Sequence, residues 1–75
     1  SDEIVASTVK RLVGGRGNAE KDEVAAGVIR ILGGTSKQYF YTDKGRLLDD
    51  RSDAAAIGLA YAIQNGLIKN EGSEQ

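Results

Sequence analysis

The chain has no cysteine and no histidine among its 75 residues. Without cysteine neither a disulfide nor a thiolate metal site can form. Without histidine the common zinc arrangements and the Ser-His and Cys-His catalytic pairs are excluded too. A metal ion would have to be held by carboxylates, a chemistry that suits magnesium or manganese. Methionine is also absent and the chain begins at Ser1, which fits either a piece of a longer protein or the loss of an initiator methionine. No run approaches the roughly eighteen apolar residues a membrane span requires. No charged, apolar and cleavable order opens the chain, so the expectation is a cytoplasmic protein without a membrane partner.

A chain this short forms one small domain and buries only about 60% of its unfolded surface, which leaves its stability dependent on help. A second copy or a missing amino-terminal half is therefore an expected partner. The formal net charge is −1, but its distribution is uneven. Residues 9–18 carry Lys10, Arg11 and Arg16 with no acid, while both ends of the chain are acidic. A local positive segment is what phosphate binding uses, because neutralising phosphates releases condensed counterions. The same residues also fit the solvated face of an ordinary helix.

Four pieces follow from the patterning, and together they predict a mostly α domain with about three helices and one β-hairpin. Residues 4–13 place Ile4, Val5, Val9, Leu12 and Val13 near helical spacing, with Lys10 and Arg11 on the other side. Gly14, Gly15 and Gly17 break that helix. Asn18 is the expected cap of a second helix over 19–32, which has Glu20, Asp22 and Glu23 in its first turns and Val24, Val28, Ile31 and Leu32 on one face. Gly33 and Gly34 should stop it. Over 37–50 a run rich in β-formers, a three-residue turn at Asp43-Lys44-Gly45 and a second short apolar run predict a hairpin. Tyr39, Phe40 and Tyr41 could stack on bases, although packing within the hairpin explains them more simply. Ser52 is the expected cap of a last helix over 53–64, ended by Asn65-Gly66. The domain is expected to span 1–70, with 71–75 a disordered tail.

The last helix, DAAAIGLAYAI, has one charge at its start and is apolar nearly all round. Its small residues Ala54, Ala55, Ala56, Gly58, Ala60 and Ala62 would let other backbones approach closely. The expectation is central burial or self-association, with a leucine at Gly58 overfilling a close contact.

The glycine loop leads into a helix amino end, where free N–H groups and the positive dipole end face an approaching phosphate. Lys10, Arg16 and Lys21 would add full charges around it. The competing phosphate motifs fail: no Gly-Lys-Ser/Thr follows the glycines, and the third glycine of a dinucleotide fingerprint is replaced by Glu20. A purely structural loop is the plain alternative.

The stretch VKRLVGGRGNAEKDEVAAGVIRIL, residues 9–32, resembles the carboxyl-terminal part of the RuvC family of Holliday junction endonucleases, of the ribonuclease-H-like superfamily. Val9-Lys10, Gly15-Arg16-Gly17, Ala19-Glu20-Lys21 and Val24 stand in the family's order without a gap. The resemblance resumes at DDRSDAAAIGLAYAI, where Asp50 and Asp53 take the places of two aspartates three apart before an alanine-rich helix. It implies a helical portion of a ribonuclease-H-like α/β fold. It also implies DNA backbone contacts by Gly15, Gly17, Lys10 and Lys21, with Arg16 at a position that varies in the family. Asp50 and Asp53 become two of four catalytic carboxylates that bind Mg2+ or Mn2+ for phosphodiester hydrolysis on branched DNA, in recombination and repair, by a dimer. The family's other two acids belong to an amino-terminal sheet region that no part of this chain supplies, so the chain alone is expected to be inactive. The 37–50 segment is also longer than the family's usual connection. In the plain reading Asp50 is a turn residue and Asp53 a favourable first-turn charge. The alternative function is a noncatalytic DNA-binding or oligomerisation module derived from the same fold.

Overall fold

The computed structural model describes residues 3–69, in which three α-helices and one short 3-10 turn follow in order: α1 (Ala6–Gly14), α2 (Lys21–Ile31), the turn Lys37–Tyr39, and α3 (Asp49–Gln64). Each helix packs on the other two. The expected tail, 71–75, lies outside the described residues.

Helix α1 buries Val9, Leu12 and Val13, an i, i+3, i+4 stripe, and leaves Lys10 and Arg11 exposed. Gly15 ends it with φ 96°, a left-handed conformation nearly free of cost only for glycine, and donates its N–H to the Arg11 carbonyl at 3.1 Å. Helix α2 begins at Lys21, two residues later than the sequence suggests, because Glu20 rather than Asn18 takes the cap position. The Glu20 N–H donates to the Glu23 carboxylate at 2.8 Å, so a side chain inside the helix closes its own first turn. Gly33 and Gly34 stop α2 as expected, with Gly34 N–H reaching back to the Ile29 carbonyl at 2.8 Å.

Where α1 crosses α2, Gly27 faces the end of α1, and a Cβ there would collide with the carbonyl oxygen of Val13 and come within 2.7 Å of its carbonyl carbon. The two backbones touch at this point. The core then closes around Val13 and Val28, both 0% exposed, with Val9, Leu12, Ala19, Val24, Phe40, Ala56 and Ala60.

The expected β-hairpin is not formed: among the described residues there is no strand, only an isolated antiparallel bridge between Tyr41 and Leu47. The turn is where the sequence places it, held by Thr42 N–H to the Arg46 carbonyl (2.8 Å), Gly45 N–H to the Thr42 carbonyl (2.9 Å) and Arg46 N–H to Thr42 Oγ1 (3.0 Å). A ladder has no room to extend on either side. Lys37–Tyr39 is coiled into the 3-10 turn, and Leu48 is already the residue before α3. Phe40 is drawn into the core, whereas Tyr39 is left 58% exposed.

Helix α3 starts at Asp49, four residues before the expected Asp53, and Ser52 is not a cap. Ser52 is buried one turn into the helix, with its N–H bonded to the Leu48 carbonyl at 3.1 Å. Asp49 and Asp50 occupy the first turn instead, where the helix dipole favours carboxylates. The helix is not buried all round. Ser52, Ala56 and Ala60 form the inner stripe, while Ala54, Ile57 and Gly58 are open to solvent, and a Cβ on Gly58 would meet nothing within 4 Å. Among the described residues no close approach is made at Gly58; the one between α1 and α2 is at Gly27. The carboxyl end is as expected, with Asn65 Nδ2 donating to the Tyr61 carbonyl at 2.8 Å and Gly66 at φ 74°.

Candidate nucleic-acid interface

A groove of about 500 Å³ runs between the amino-terminal half of α1, the start of α2 and the second turn of α3. Its floor is apolar, formed by Ile4, Val9, Val24 and Ala56, and its charged residues are Lys10, Lys21, Glu20 and Asp53. Three of the site residues named from the sequence, Lys10, Lys21 and Asp53, thus arrive from three different helices.

Lys10 projects from the middle of α1 because Val9 and Val13 turn that helix's apolar stripe to the core, which leaves position 10 on the groove side. It makes no ion pair among the described residues. Lys21 opens α2 and donates to the Asp49 carboxylate at 3.1 Å. That hydrogen bond, with the charges of Asp49, Asp53 and Asp50, raises the Lys21 pKa above the ordinary lysine value. Asp49, Asp50 and Asp53, spaced one and three to four residues apart, share one side of the first turns of α3. Asp49 is the functional neighbour that the sequence reading missed. Its signal was the doubled aspartate, read only at its second member.

Arg16 is held away from the groove. Its guanidinium donates to Glu23 Oε1 from both Nη2 (2.8 Å) and Nε (3.3 Å). The hydrogen bond to Glu23 raises its pKa further, chiefly, with the Glu23 charge adding to the effect. Glu23 in turn is held below the usual glutamate range, first by the Glu20 N–H it accepts and then by Arg16. The sequence reading placed Arg16 beside a free helix end. In the structure the Glu23 carboxylate occupies that end already, engaging both Arg16 and one of the amides a phosphate would use.

The three loop glycines do different things. A Cβ on Gly14 would come within 2.7 Å of Ala19 Cβ and 3.1 Å of Val24 Cγ2, so that residue packs the loop onto α2. Gly15 is fixed by its left-handed backbone. At Gly17 a Cβ would meet only the Ser7 carbonyl oxygen, at 3.9 Å, and φ is not positive. Nothing in the backbone at position 17 demands glycine.

For metal binding, Asp50 and Asp53 offer two carboxylates on one side of a helix. Among the described residues no group of three or more possible ligands comes together. Two carboxylates are a common protein contribution to a magnesium site completed by phosphate oxygens and water, so the pair suits a shared site better than a self-contained one.

The Glu23 arrangement has a measurable consequence. A carboxylate whose folded pKa is depressed adds stability that is present above its unfolded value, about 4.3, and lost as pH falls through the folded value. Wild type should therefore lose stability on acidification below about pH 4.3, more steeply than Glu23→Gln does. Urea midpoints from pH 6 to pH 2.5 for both proteins measure this, and parallel curves would remove Glu23 from the account.

No protein-family model matches this chain, and no curated protein and no solved structure matches it either. No helix among the described residues is long and apolar enough to cross a membrane.

Proposed function

We propose that the chain is the carboxyl-terminal portion of a RuvC-type crossover junction endonuclease, contributing phosphate contacts to branched DNA and part of a divalent-metal site. The observation that carries this reading is the convergence of Lys10, Lys21 and Asp53 on one groove. These positions come from the two separate stretches in which the sequence resembles the family. Asp50, Arg16, Gly15 and Gly17 are not among the residues that line the groove.

In this reading Lys10 is the open cation that meets a phosphate first. Lys21 meets a second phosphate by exchanging Asp49 for it, since an exposed ion pair is readily traded for another anion. Arg16 braces the loop through Glu23 and is not a primary contact. Gly15 and Gly17 keep the loop low, so that a backbone can pass over it. A bound Mg2+ or Mn2+ would supply an activated water and stabilise the leaving oxygen in phosphodiester hydrolysis. Asp50 and Asp53 would give oxygen donors to that ion, the remaining donors coming from an amino-terminal half or a second copy. The residues on this chain would position phosphate and supply two of the ion's carboxylate donors.

The test is fluorescence anisotropy of labelled duplex and four-way junction DNA across several salt concentrations. With two available lysines, log K against log[salt] should fall with a slope near −2, each phosphate contact giving about −0.9. Lys10→Ala should reduce the slope by about one unit. Asp49→Asn should tighten binding by freeing Lys21 and removing a negative charge beside it. Gly17→Val should weaken binding without lowering the melting temperature, because the fold leaves room at that position. A flat salt dependence unchanged by these variants would sink the proposal.

A noncatalytic DNA-binding or oligomerisation module of the same descent is the second reading, favoured by the uncovered face of α3 at Ala54, Ile57 and Gly58. The two separate on manganese. A nuclease portion should bind the junction more tightly with Mn2+, an effect lost in Asp53→Asn, whereas in a noncatalytic module the ion only screens charge.

A further inference from the structure

The segment between α2 and α3 is not absorbed by the groove. It leaves α2 at the glycine pair, coils at Lys37–Tyr39, turns at Asp43-Lys44-Gly45 and enters α3. Within residues 35–48 there are three cations, Lys37, Lys44 and Arg46, and one acid, Asp43, all of them exposed. Neither Lys44 nor the Arg46 guanidinium has a hydrogen-bond or ion-pair partner among the described residues. Lys37 Nζ sits 5.7 Å from the centre of the Tyr41 ring, close enough for a cation–π contact that keeps its charge at the surface of the loop.

In the same segment Tyr39 is 58% exposed, whereas its neighbour Phe40 is 8% exposed and belongs to the core. The backbone that carries Tyr39 is anchored: Arg51 Nη1 of α3 donates to the Tyr39 carbonyl at 3.2 Å, and Phe40 N–H donates to the Lys37 carbonyl at 2.9 Å. The ring is thus an exposed aromatic on a braced support, in the same short segment as two cations without a partner among the described residues. It is tied to the same first turns of α3 that bear Asp50 and Asp53.

We infer that the 35–48 segment is a contact surface for single-stranded nucleic acid, with Tyr39 stacking on an unpaired base and Lys44 and Arg46 neutralising the adjoining phosphates. Stacking is available only to a base not already enclosed in a duplex, and every base offers a π-face, so the contact is indifferent to sequence. A protein partner fits less well. The surface offers one exposed aromatic among cations, and Phe40, Leu47 and Leu48 around it are buried or half-buried rather than an apolar patch. The inference rests on the chain being a nucleic-acid-binding protein, and adds to that reading a preference for unpaired bases.

The experiment measures binding of the full chain to a labelled twenty-nucleotide oligothymidylate and to a duplex of the same length, by anisotropy. Tyr39→Ala should weaken oligothymidylate binding about 5- to 100-fold while changing duplex binding less than about twofold, and Tyr39→Phe should restore most of the loss. The Lys44→Gln, Arg46→Gln double variant should make the single-strand salt slope shallower by about 1.4. Circular dichroism should show both sets of variants folded, since the side chains replaced are exposed. If Tyr39→Ala leaves oligothymidylate binding unchanged while Lys10→Ala weakens binding to either probe, the stacking surface is overturned and the groove stands. If wild type binds neither probe at low salt, both are overturned.

Discussion

Gly27→Ala is expected to cost the domain roughly 3 kcal/mol or more, a large fraction of the stability of a domain this small. Helix propensity alone gives the opposite sign, because alanine in a helix interior is favoured over glycine by about 1 kcal/mol. The steric term decides between them. The added Cβ would occupy the place of the Val13 carbonyl oxygen and would lie within 2.7 Å of its carbon. Both are backbone atoms at the end of α1, so no rotamer change relieves the clash and the two helices must separate. Separation would open the contact around Val13 and Val28, the two large side chains with no exposure at all. Urea denaturation followed by circular dichroism measures the loss. Gly17→Ala serves as the control, since its Cβ meets only an oxygen at 3.9 Å and should leave the midpoint nearly unchanged. A Gly27→Ala protein that melts like wild type would show that α1 and α2 do not cross at this point.

A comparably large effect is expected two residues from a position where none should occur. Ala60 is 0% exposed, on the stripe of α3 that faces the other helices, whereas Gly58 is exposed with open space around it. Ala60→Leu adds three carbons to a filled core and should cost about 1–3 kcal/mol or more. For a domain of this size that is a fall of roughly 4–8 °C per kcal/mol. Gly58→Leu should leave the melting temperature unchanged or raise it, because leucine is the better helix former and meets no neighbour. Differential scanning calorimetry of both variants reads the orientation of α3 directly. Equal losses would mean that the outer face is covered, by a second copy or another chain, and the concentration dependence of melting would then identify self-association.

Much of the helical layout follows from local rules. The stripe at Val9, Leu12 and Val13, the stop at Gly33 and Gly34 and the close at Asn65-Gly66 depend on spacing and on backbone freedom within a few residues, so they are legible in the order of the amino acids. The placement of the turn at Asp43-Lys44-Gly45 is legible for the same reason. What surrounds the turn is not. A β-rich run becomes a strand only if a partner of matching length lies beside it, and here the burial of Phe40 and the early start of α3 leave one bridge in place of a ladder. Ser52 shows the same limit: it has the chemistry of a cap, yet packing draws it inside the helix and the caps fall elsewhere.

The candidate site divides in the same way. Composition by itself excluded thiolate, imidazole and disulfide chemistry and left carboxylates and cations as the only charged groups available. Sequence by itself singled out Asp50 and Asp53 and, by proximity along the chain, the cationic, glycine-rich stretch, but it was the start of α3 at Asp49 that put both aspartates on one helix. Only the tertiary structure decided which cations are open. Arg16 is engaged by Glu23, seven residues on, and Lys21 by Asp49, twenty-eight residues on, while Lys10 at the groove has no ion pair among the described residues. Those pairings depend on how α2 docks against α3 and on where the loop folds back over the helix start. Likewise, among ten glycines nothing local marks Gly27 as the one whose missing side chain lets two helices touch. A sequence states what each residue can do alone and with its near neighbours along the chain. Which distant backbone leaves no room for a Cβ at Gly27, and which distant carboxylate arrives at 3.1 Å, is fixed by the packing of the three helices around Val13 and Val28.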